Sequence, residues 1–464
     1  MNTRIFKEEI TAVHFIGING ISMSGLAEIL MGQGYKVSGS DFESSNRTEK
    51  LQALGADIYM GHDRDRMGSP DLVVYTAAIH PDNCEYQKAA ESGIPLMDRA
   101  VLLGMIMKGY PFSVGVSGAH GKTTTTAMAG HLLQQCGFDP TIHLGGEADF
   151  INGTVKVGST EYFVTEACEY NDTFLKLSPF VGIILNIDYD HVDWFKDLEA
   201  MEQAFLKFAR LIPQEGCLVA CYDDVNTRNI YERAECNRLY YGLENRFLDY
   251  SAIDILYDGE GYGAFDLYMK GSLIRRVRLG LRGRVNVLNA LAAAAACHFL
   301  GGDPARIADA METMHGAKRR FDIRGKANDI LIVSDYAHHP TEIDITLETA
   351  SNMDHREIWA VFEPHTFTRI KVLFEEFSTC FSHANHVIMA DVYNDREEIP
   401  KDMNSEILAN NIAKHHPDAI YLPSYEAITD HLVRHARPGD IIMILGSKNI
   451  VEISDILYER LTRE

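Results

Sequence analysis

Along this chain a short apolar run is followed by a few glycine or polar residues, then by a longer stretch whose apolar residues fall on one helical face. In the first hundred residues the runs are 13–16, 36–38 and 72–75, and the helix-like stretches are 24–34 and 46–54. That alternation predicts a parallel sheet covered by helices. The pattern restarts after Pro111, where a run at 112–116 ends in a glycine-rich turn and opens a longer helix at 123–137. Runs at 161–165 and 181–186, a helix at 198–211 and an alanine-rich helix at 289–300 continue it. A third restart follows Arg320-Phe321, with runs at 330–334, 359–362, 386–390 and 441–445.

The expected fold class is therefore α/β in three units: 1–109, 110–321 and 322–464. A length of 464 residues agrees, because one hydrophobic core rarely organises so long a chain. No internal repeat, low-complexity tract or Pro/Ser-rich linker marks the joins, so they are placed where the pattern restarts.

With 46% hydrophobic and 23% charged residues the composition is that of a soluble globular protein, and no apolar run is long enough to span a bilayer. The start, charged from Met1 to Glu9 and then apolar, lacks a signal-peptide pattern, so a cytoplasmic protein without a membrane partner is expected. A balance of 43 Lys+Arg against 66 Asp+Glu, net -23, repels polyanions and makes nucleic acid a poor partner. A small phosphate ligand remains open, provided that backbone N–H groups and a few cations converge locally. The eight cysteines show no zinc-finger spacing, Cys217 and Cys221 being the closest pair, and are read as reduced core thiols.

The sharpest local signal is the segment from Gly115 to Thr125, Gly-Val-Ser-Gly-Ala-His-Gly-Lys-Thr-Thr-Thr, between an apolar run and a helix. Glycines let the backbone curl so that N–H groups point inward, and the helix start adds positive potential. Lys122 reaches the terminal phosphates and Thr123 offers a hydroxyl to magnesium. Gly118, Ala119, His120, Gly121, Lys122, Thr123 and Thr124 are thus the candidate ATP contacts. Val116 stands where a strict P-loop has its first glycine, so the loop is a variant. By itself it fits an ATPase, a kinase or a ligase.

Two acidic clusters follow at predicted strand ends, where open α/β sheets hold their ligands. The first is Thr165-Glu166-Ala167-Cys168-Glu169-Tyr170, and the second Asn186-Ile187-Asp188-Tyr189-Asp190-His191. Magnesium takes hard oxygen ligands and keeps waters, so one or two carboxylates beside the phosphates suffice. Glu166 is assigned to a metal, and His191 to a second magnesium as a direct or outer ligand. Such an ion would bridge the γ-phosphate and a substrate carboxylate, which favours phosphorylating that carboxylate.

These residues resemble the Mur ligase family. The loop is similar to its Gly-x-x-Gly-Lys-Thr-Thr-Thr pattern and Asn186–His191 to its Asn-Ile-x-x-Asp-His segment. The stretch Asp335-Tyr336-Ala337-His338-His339-Pro340-Thr341-Glu342 and the stretch from Phe362 to Arg369 resemble the branch that adds the first amino acid, L-alanine. The resemblance runs from Phe15 to about Leu445.

It implies a Rossmann-like UDP-sugar domain, a central ATPase domain and a C-terminal domain closing over the nucleotide. The substrates it implies are UDP-N-acetylmuramate, ATP with Mg2+, and an amino acid. Gly17, Asn19, Gly20, Ser22 and Ser24, with Ser40 and Asp41 after the next run, look like the UDP-binding loop. Asn19 stands at the second glycine of a dinucleotide fingerprint, which disfavours NAD. By the same resemblance Arg320 reaches ATP phosphates, Asn286 and Asn289 lie near the adenine, and Asp335 contacts the ribose. His338, His339, His365 and Arg369 surround the amino acid and acyl group. Lys122, Glu166, His191, His338 and Arg369 form the expected catalytic set.

The chain departs from the family pattern at Asn19, Ser22, Val285, Ser334, Asn394-Asp395-Arg396 and Ser447-Lys448. Other readings stay open beside the L-alanine ligase: a Mur-type ligase for another amino acid or a recycled peptide, and an impaired UDP-sugar-binding paralogue. The oligomeric state is not written in the sequence.

Overall fold

The computed structural model describes residues 5–6, 10–394, 397, 399–400, 402–447 and 449–463. Residues 1–4 and 7–9 of the charged start, and Asp395, Arg396 and Lys448 among the departures, lie outside the described residues.

Three sheets follow one another along the chain. The first is parallel throughout, in the order Asp57–Met60, Lys36–Asp41, Ala12–Ile16, Leu72–Tyr75, Leu96–Asp98. The chain leaves Ala12–Ile16 towards one edge and returns on its other side at Leu72–Tyr75, which opens a crevice at the strand ends. Helices cover both faces, so residues 72–74 and all of Ala12–Ile16 after its first residue are buried instead of alternating.

The second sheet has ten strands. Its centre is parallel: Cys217–Cys221, Val181–Ile184, Phe112–Ser117, Tyr162–Glu166 and Thr141–Ala148 lie side by side. One edge turns back in an antiparallel hairpin at Gly153–Lys156, and the other ends in the antiparallel meander Tyr250–Tyr257, Tyr262–Met269, Ser272–Arg282. Helices Lys122–Gln135 and Arg284–Phe299 pack on each other across this sheet. The run Ala292–Ala296 is buried there, and such small side chains let two helices approach closely. The third sheet has six strands in the order Asp322–Ala327, Ile330–Asp335, Ile441–Leu445, Ile358–Phe362, His386–Met389, Ala419–Tyr421, antiparallel only in its first pair.

All eight cysteines are free thiols; Cys217, Cys221, Cys297 and Cys380 are buried and the other four half-buried. Among the described residues no helix is long and apolar enough to cross a membrane.

Beneath the first glycine turn sits a buried carboxylate. Glu85 is fully buried and accepts from Ser40 Oγ at 2.5 Å, Tyr59 OH at 2.6 Å and the Asp63 N–H at 2.9 Å, with His14 Nε2 at 3.4 Å. Burial alone would raise its pKa, but these hydrogen bonds hold it down at about 2. A depressed carboxylate stabilises the fold above its unfolded pKa of about 4.3 and loses that contribution as pH falls towards 2. Glu85→Gln is therefore expected to lower the urea midpoint at pH 7, with the gap from wild type closing between about pH 4.5 and 2. Equal gaps at pH 7 and pH 2.5 would contradict this.

Candidate active site

Strand Phe112–Ser117 ends in the turn that precedes helix Lys122–Gln135. Two glycines shape it: Gly118 at φ +138° and Gly121 at φ +87°. A Cβ on Gly118 would stand 2.9 Å from Leu185 Cβ, and one on Gly121 3.0 Å from Asn289 Oδ1. The N–H of Ala119 donates to the Asn186 carbonyl at 3.2 Å, and that of His120 to Asn186 Oδ1 at 2.8 Å. Asn186 thus pins the turn. No side chain caps this helix start, so its partial positive charge faces the cavity. Gly118→Ala is expected to raise the KM for ATP about tenfold or more, since the strained backbone and the Leu185 clash shift the turn by an amount worth about 1–3 kcal/mol. A KM within twofold of wild type would contradict this.

Lys122 Nζ donates to Gly118 O at 2.6 Å, Ala119 O at 3.0 Å and Glu169 Oε1 at 3.0 Å. Burial disfavours the ammonium, but Glu169 outweighs it and raises the pKa, so the lysine stays charged. Glu166, at the end of strand Tyr162–Glu166, accepts from the Gly145 N–H at 2.5 Å. His191, in a left-handed conformation at φ 52°, places Nε2 3.6 Å from Glu169 Oε1. Lys122, Thr123, Glu166 and His191 all line one cavity of about 960 Å³.

The opposite wall is formed by Arg319 and Arg320 at the end of the second unit and by Tyr336, His338, His365 and Arg369 of the third. Both arginine guanidinium groups lie over the Tyr336 ring, at 5.0 and 5.1 Å. His338 Nδ1 lies 2.9 Å from the Tyr336 carbonyl, so Nδ1–H donates and Nε2 keeps its lone pair. Burial lowers the His338 pKa to about 4, which leaves the ring neutral at pH 7. Arg369 donates to Asp190 Oδ1 at 2.9 Å, and both partners are buried.

Several other candidate residues have partners within the protein. His120 does not face the cavity; it is buried with Nε2 3.0 Å from Asp188 Oδ2 and Nδ1 3.3 Å from Glu342 Oε1. Burial would lower its pKa, but the two carboxylates raise it to about 10, so it is an imidazolium linking the turn to the third unit. His339 is also buried, capping helix Pro340–Ser351 by accepting the Thr341 N–H at 3.3 Å. Asp335 is buried with both oxygens on backbone N–H groups, Phe321 at 2.6 Å and Ala337 at 2.7 Å. It shapes the join between sheets. Asn289 braces Gly121 and donates to Asn286 Oδ1 at 3.2 Å, while Asn286 Nδ2 donates to Arg282 O at 2.8 Å. Neither lines the cavity.

In the first unit, Gly17 and Ile18 N–H donate to Ser40 O at 2.8 and 3.1 Å, and Asn19 N–H to Asp41 Oδ2 at 2.8 Å. The side chain of Asn19 accepts from Ser45. The Ser40 hydroxyl is buried against Glu85, and Ser24 Oγ donates back to Ile21 O at 2.9 Å. Both hydroxyls support the turn. Gly20 begins helix Ile21–Gly32 without a side-chain cap, leaving a second anion-attracting helix start. Ser22 lies beyond it in a smaller pocket of about 210 Å³, accepting from Arg99 at 2.9 Å and 3.2 Å from His143 Nε2. Sequence reasoning gave no role to Glu169, Asp188, Asp190, Glu342, Arg99 or His143; the first four stand inside the quoted motifs, the only signal that marked them.

Models of the Mur ligase catalytic, middle and glutamate ligase domains match residues 12–111, 116–297 and 319–448. The chain belongs to the Mur ligase family. This Mur ligase is 48% identical over 447 residues to the UDP-N-acetylmuramate--L-alanine ligase of Acetivibrio thermocellus, covering 96% of this chain and 95% of that protein. It is 44% identical to the namesake from Caldanaerobacter subterraneus, over 97% of this chain and 98% of the other. The solved UDP-N-acetylmuramate-alanine ligase of Thermotoga maritima is similar at a TM-score of 0.81 and 28% identity, covering 97% and 99% of the two chains. A murein peptide ligase from Psychrobacter arcticus shares the fold at a TM-score of 0.71 and 24% identity, over 98% and 99%. The three-domain α/β architecture of the Mur ligases is thus the architecture seen here.

Proposed function

We propose that this Mur ligase joins L-alanine to the lactyl carboxylate of UDP-N-acetylmuramate at the expense of ATP, in the cytoplasmic synthesis of peptidoglycan precursors, with domains 1–109, 110–321 and 322–464. The observation that carries the reading is one cavity shared by Lys122 with its uncapped helix, Glu166 and His191, and by His338 and Arg369 from the third unit. Phosphate chemistry and amine delivery meet there.

The residues fit Mg2+ and ATP. Thr123 and Glu166 offer hard oxygens beside the Lys122 ammonium, which suits magnesium more than a soft ion. Bound there, Mg2+ would neutralise charge on the phosphates and polarise the γ-phosphoryl group. The carboxylate oxygen of the sugar nucleotide attacks the γ-phosphorus, the bond to the β-phosphate oxygen breaks, and ADP leaves with the electron pair. A carboxylate is a poor acyl donor, and its conversion to an acyl phosphate supplies the leaving group. Lys122 moves from Glu169 onto the phosphates and Arg320 faces them from the other wall, spreading the developing charge. Arg369, oriented by Asp190, holds the amino acid carboxylate. The neutral His338 ring presents Nε2 to the incoming amine and accepts its proton as the C–N bond forms and phosphate departs. The third unit keeps water from the acyl phosphate.

A coupled phosphate-release assay with UDP-N-acetylmuramate, Mg2+, ATP and a panel of amino acids and the tripeptide tests this. Release that requires both the sugar nucleotide and L-alanine is expected. A faster rate with tripeptide would replace the reading by a recycling ligase, and no release with any amine would replace it by a binding paralogue.

A further inference from the structure

We propose that Cys168, Glu169 and His191 form a site for a thiophilic divalent cation of the zinc type inside the central cavity, and that filling it stops the enzyme. The thiol, carboxylate and imidazole offer ligand atoms that lie within 4.8 Å of one another. Ligands of a tetrahedral zinc stand about 3.4–3.6 Å apart by its usual bond lengths, so closing the set needs side-chain movements on the order of 1 Å.

A second observation points to a ligand here. Glu169 is fully buried, yet its Oε2 has no hydrogen-bond partner. A buried carboxylate oxygen without a partner is costly and rare, and a cation supplies what it lacks. The other oxygen, Oε1, meets Lys122 Nζ at 3.0 Å and His191 Nε2 at 3.6 Å. Cys168 is half-buried and lines the cavity, so an ion has a path in.

Donor chemistry separates this set from the magnesium oxygens. Thiolate and imidazole select zinc-like ions, whereas Thr123 and Glu166 suit hard ions. Three protein ligands leave a fourth position for water or a phosphate oxygen. On binding, the Cys168 thiol releases its proton to solvent and the sulfur lone pair forms the metal bond; nothing is oxidised. The bound ion occupies His191, which then cannot serve the magnesium and phosphates, and its charge on Glu169 repels the Lys122 ammonium 3.0 Å from that carboxylate. Only this inhibitory consequence rests on the proposed ligase reaction.

Cobalt(II) reads the site without substrates, because thiolate ligation gives a sulfur-to-cobalt charge-transfer band in the near ultraviolet. Titrating the full chain with Co2+ alone is expected to produce that band, saturating at one equivalent. Cys168→Ser and Cys168→Ala should each abolish it, and Cys136→Ser should keep it. No band in the wild type, or an unchanged band in both Cys168 variants, overturns the site. In the second arm, Zn2+ is added to the phosphate-release assay in excess Mg2+, with each protein normalised to its own zinc-free rate. Cys168→Ser should raise the half-inhibiting zinc concentration at least about tenfold; equal sensitivity overturns the inhibition. A wild type that turns over no substrate fails the ligase reading, while the cobalt band still decides the site.

Discussion

Lys122→Ala is expected to lower the rate of UDP-N-acetylmuramate-dependent phosphate release at least about a thousandfold, the loss typical of removing a charged group that faces the developing anion. The effect has two parts. The γ-phosphate loses its ammonium, and Glu169, fully buried, loses the cation that keeps it ionised. Breaking a buried pair by removing one partner costs about 3–5 kcal/mol, so the variant should also melt earlier, and less so as Glu169 takes up a proton at lower pH. Steady-state rates and thermal midpoints at pH 5 and 8 check both parts. A variant that turns over as fast as the wild type would overturn the mechanism.

Arg369→Ala is the second large effect. Its guanidinium bridges the third unit to Asp190 in the central one, both side chains being buried. Removing it leaves Asp190 unpaired at the join, a loss of about 3–5 kcal/mol for a pair so enclosed. The KM for L-alanine should rise at least about a hundredfold, whereas the KM for ATP changes far less. Arg369→Lys should recover only part, because an ammonium lacks the planar fork that grips a carboxylate. Equal changes in the two Michaelis constants would show that Arg369 holds the domains together and does not contact the amino acid.

What the sequence made legible follows from how local each signal is. Strands buried on both faces, such as Val181–Ile184 and Ile441–Leu445, are continuous apolar runs and could be read directly. Tyr262–Met269 buries only every second residue, and its weaker alternation in a tyrosine-rich stretch hid the meander at the edge of the second sheet. The phosphate turn was equally local, since glycine placement and Lys122 are written within a few residues. The partners of His120, Asp188 and Glu342, come from two other segments, and pairing between segments leaves no mark on either, so the sequence did not show them. The surroundings of Ser40 and Asp335 were hidden for a related reason. A polar residue at a strand end looks the same whether it faces a ligand or satisfies a neighbouring backbone, and only the packing around it decides.

The imidazolium of His120 gives the phosphate turn and the third unit a common fate. A nucleotide that tightens the turn must also draw helix Pro340–Ser351 inward, because Asp188 is held by His120 Nε2 and by Thr341 Oγ1 at 2.6 Å. By reciprocity, anything that favours docking of that helix strengthens the grip on ATP by the same factor. Amino acid and nucleotide should therefore bind cooperatively although they need not touch.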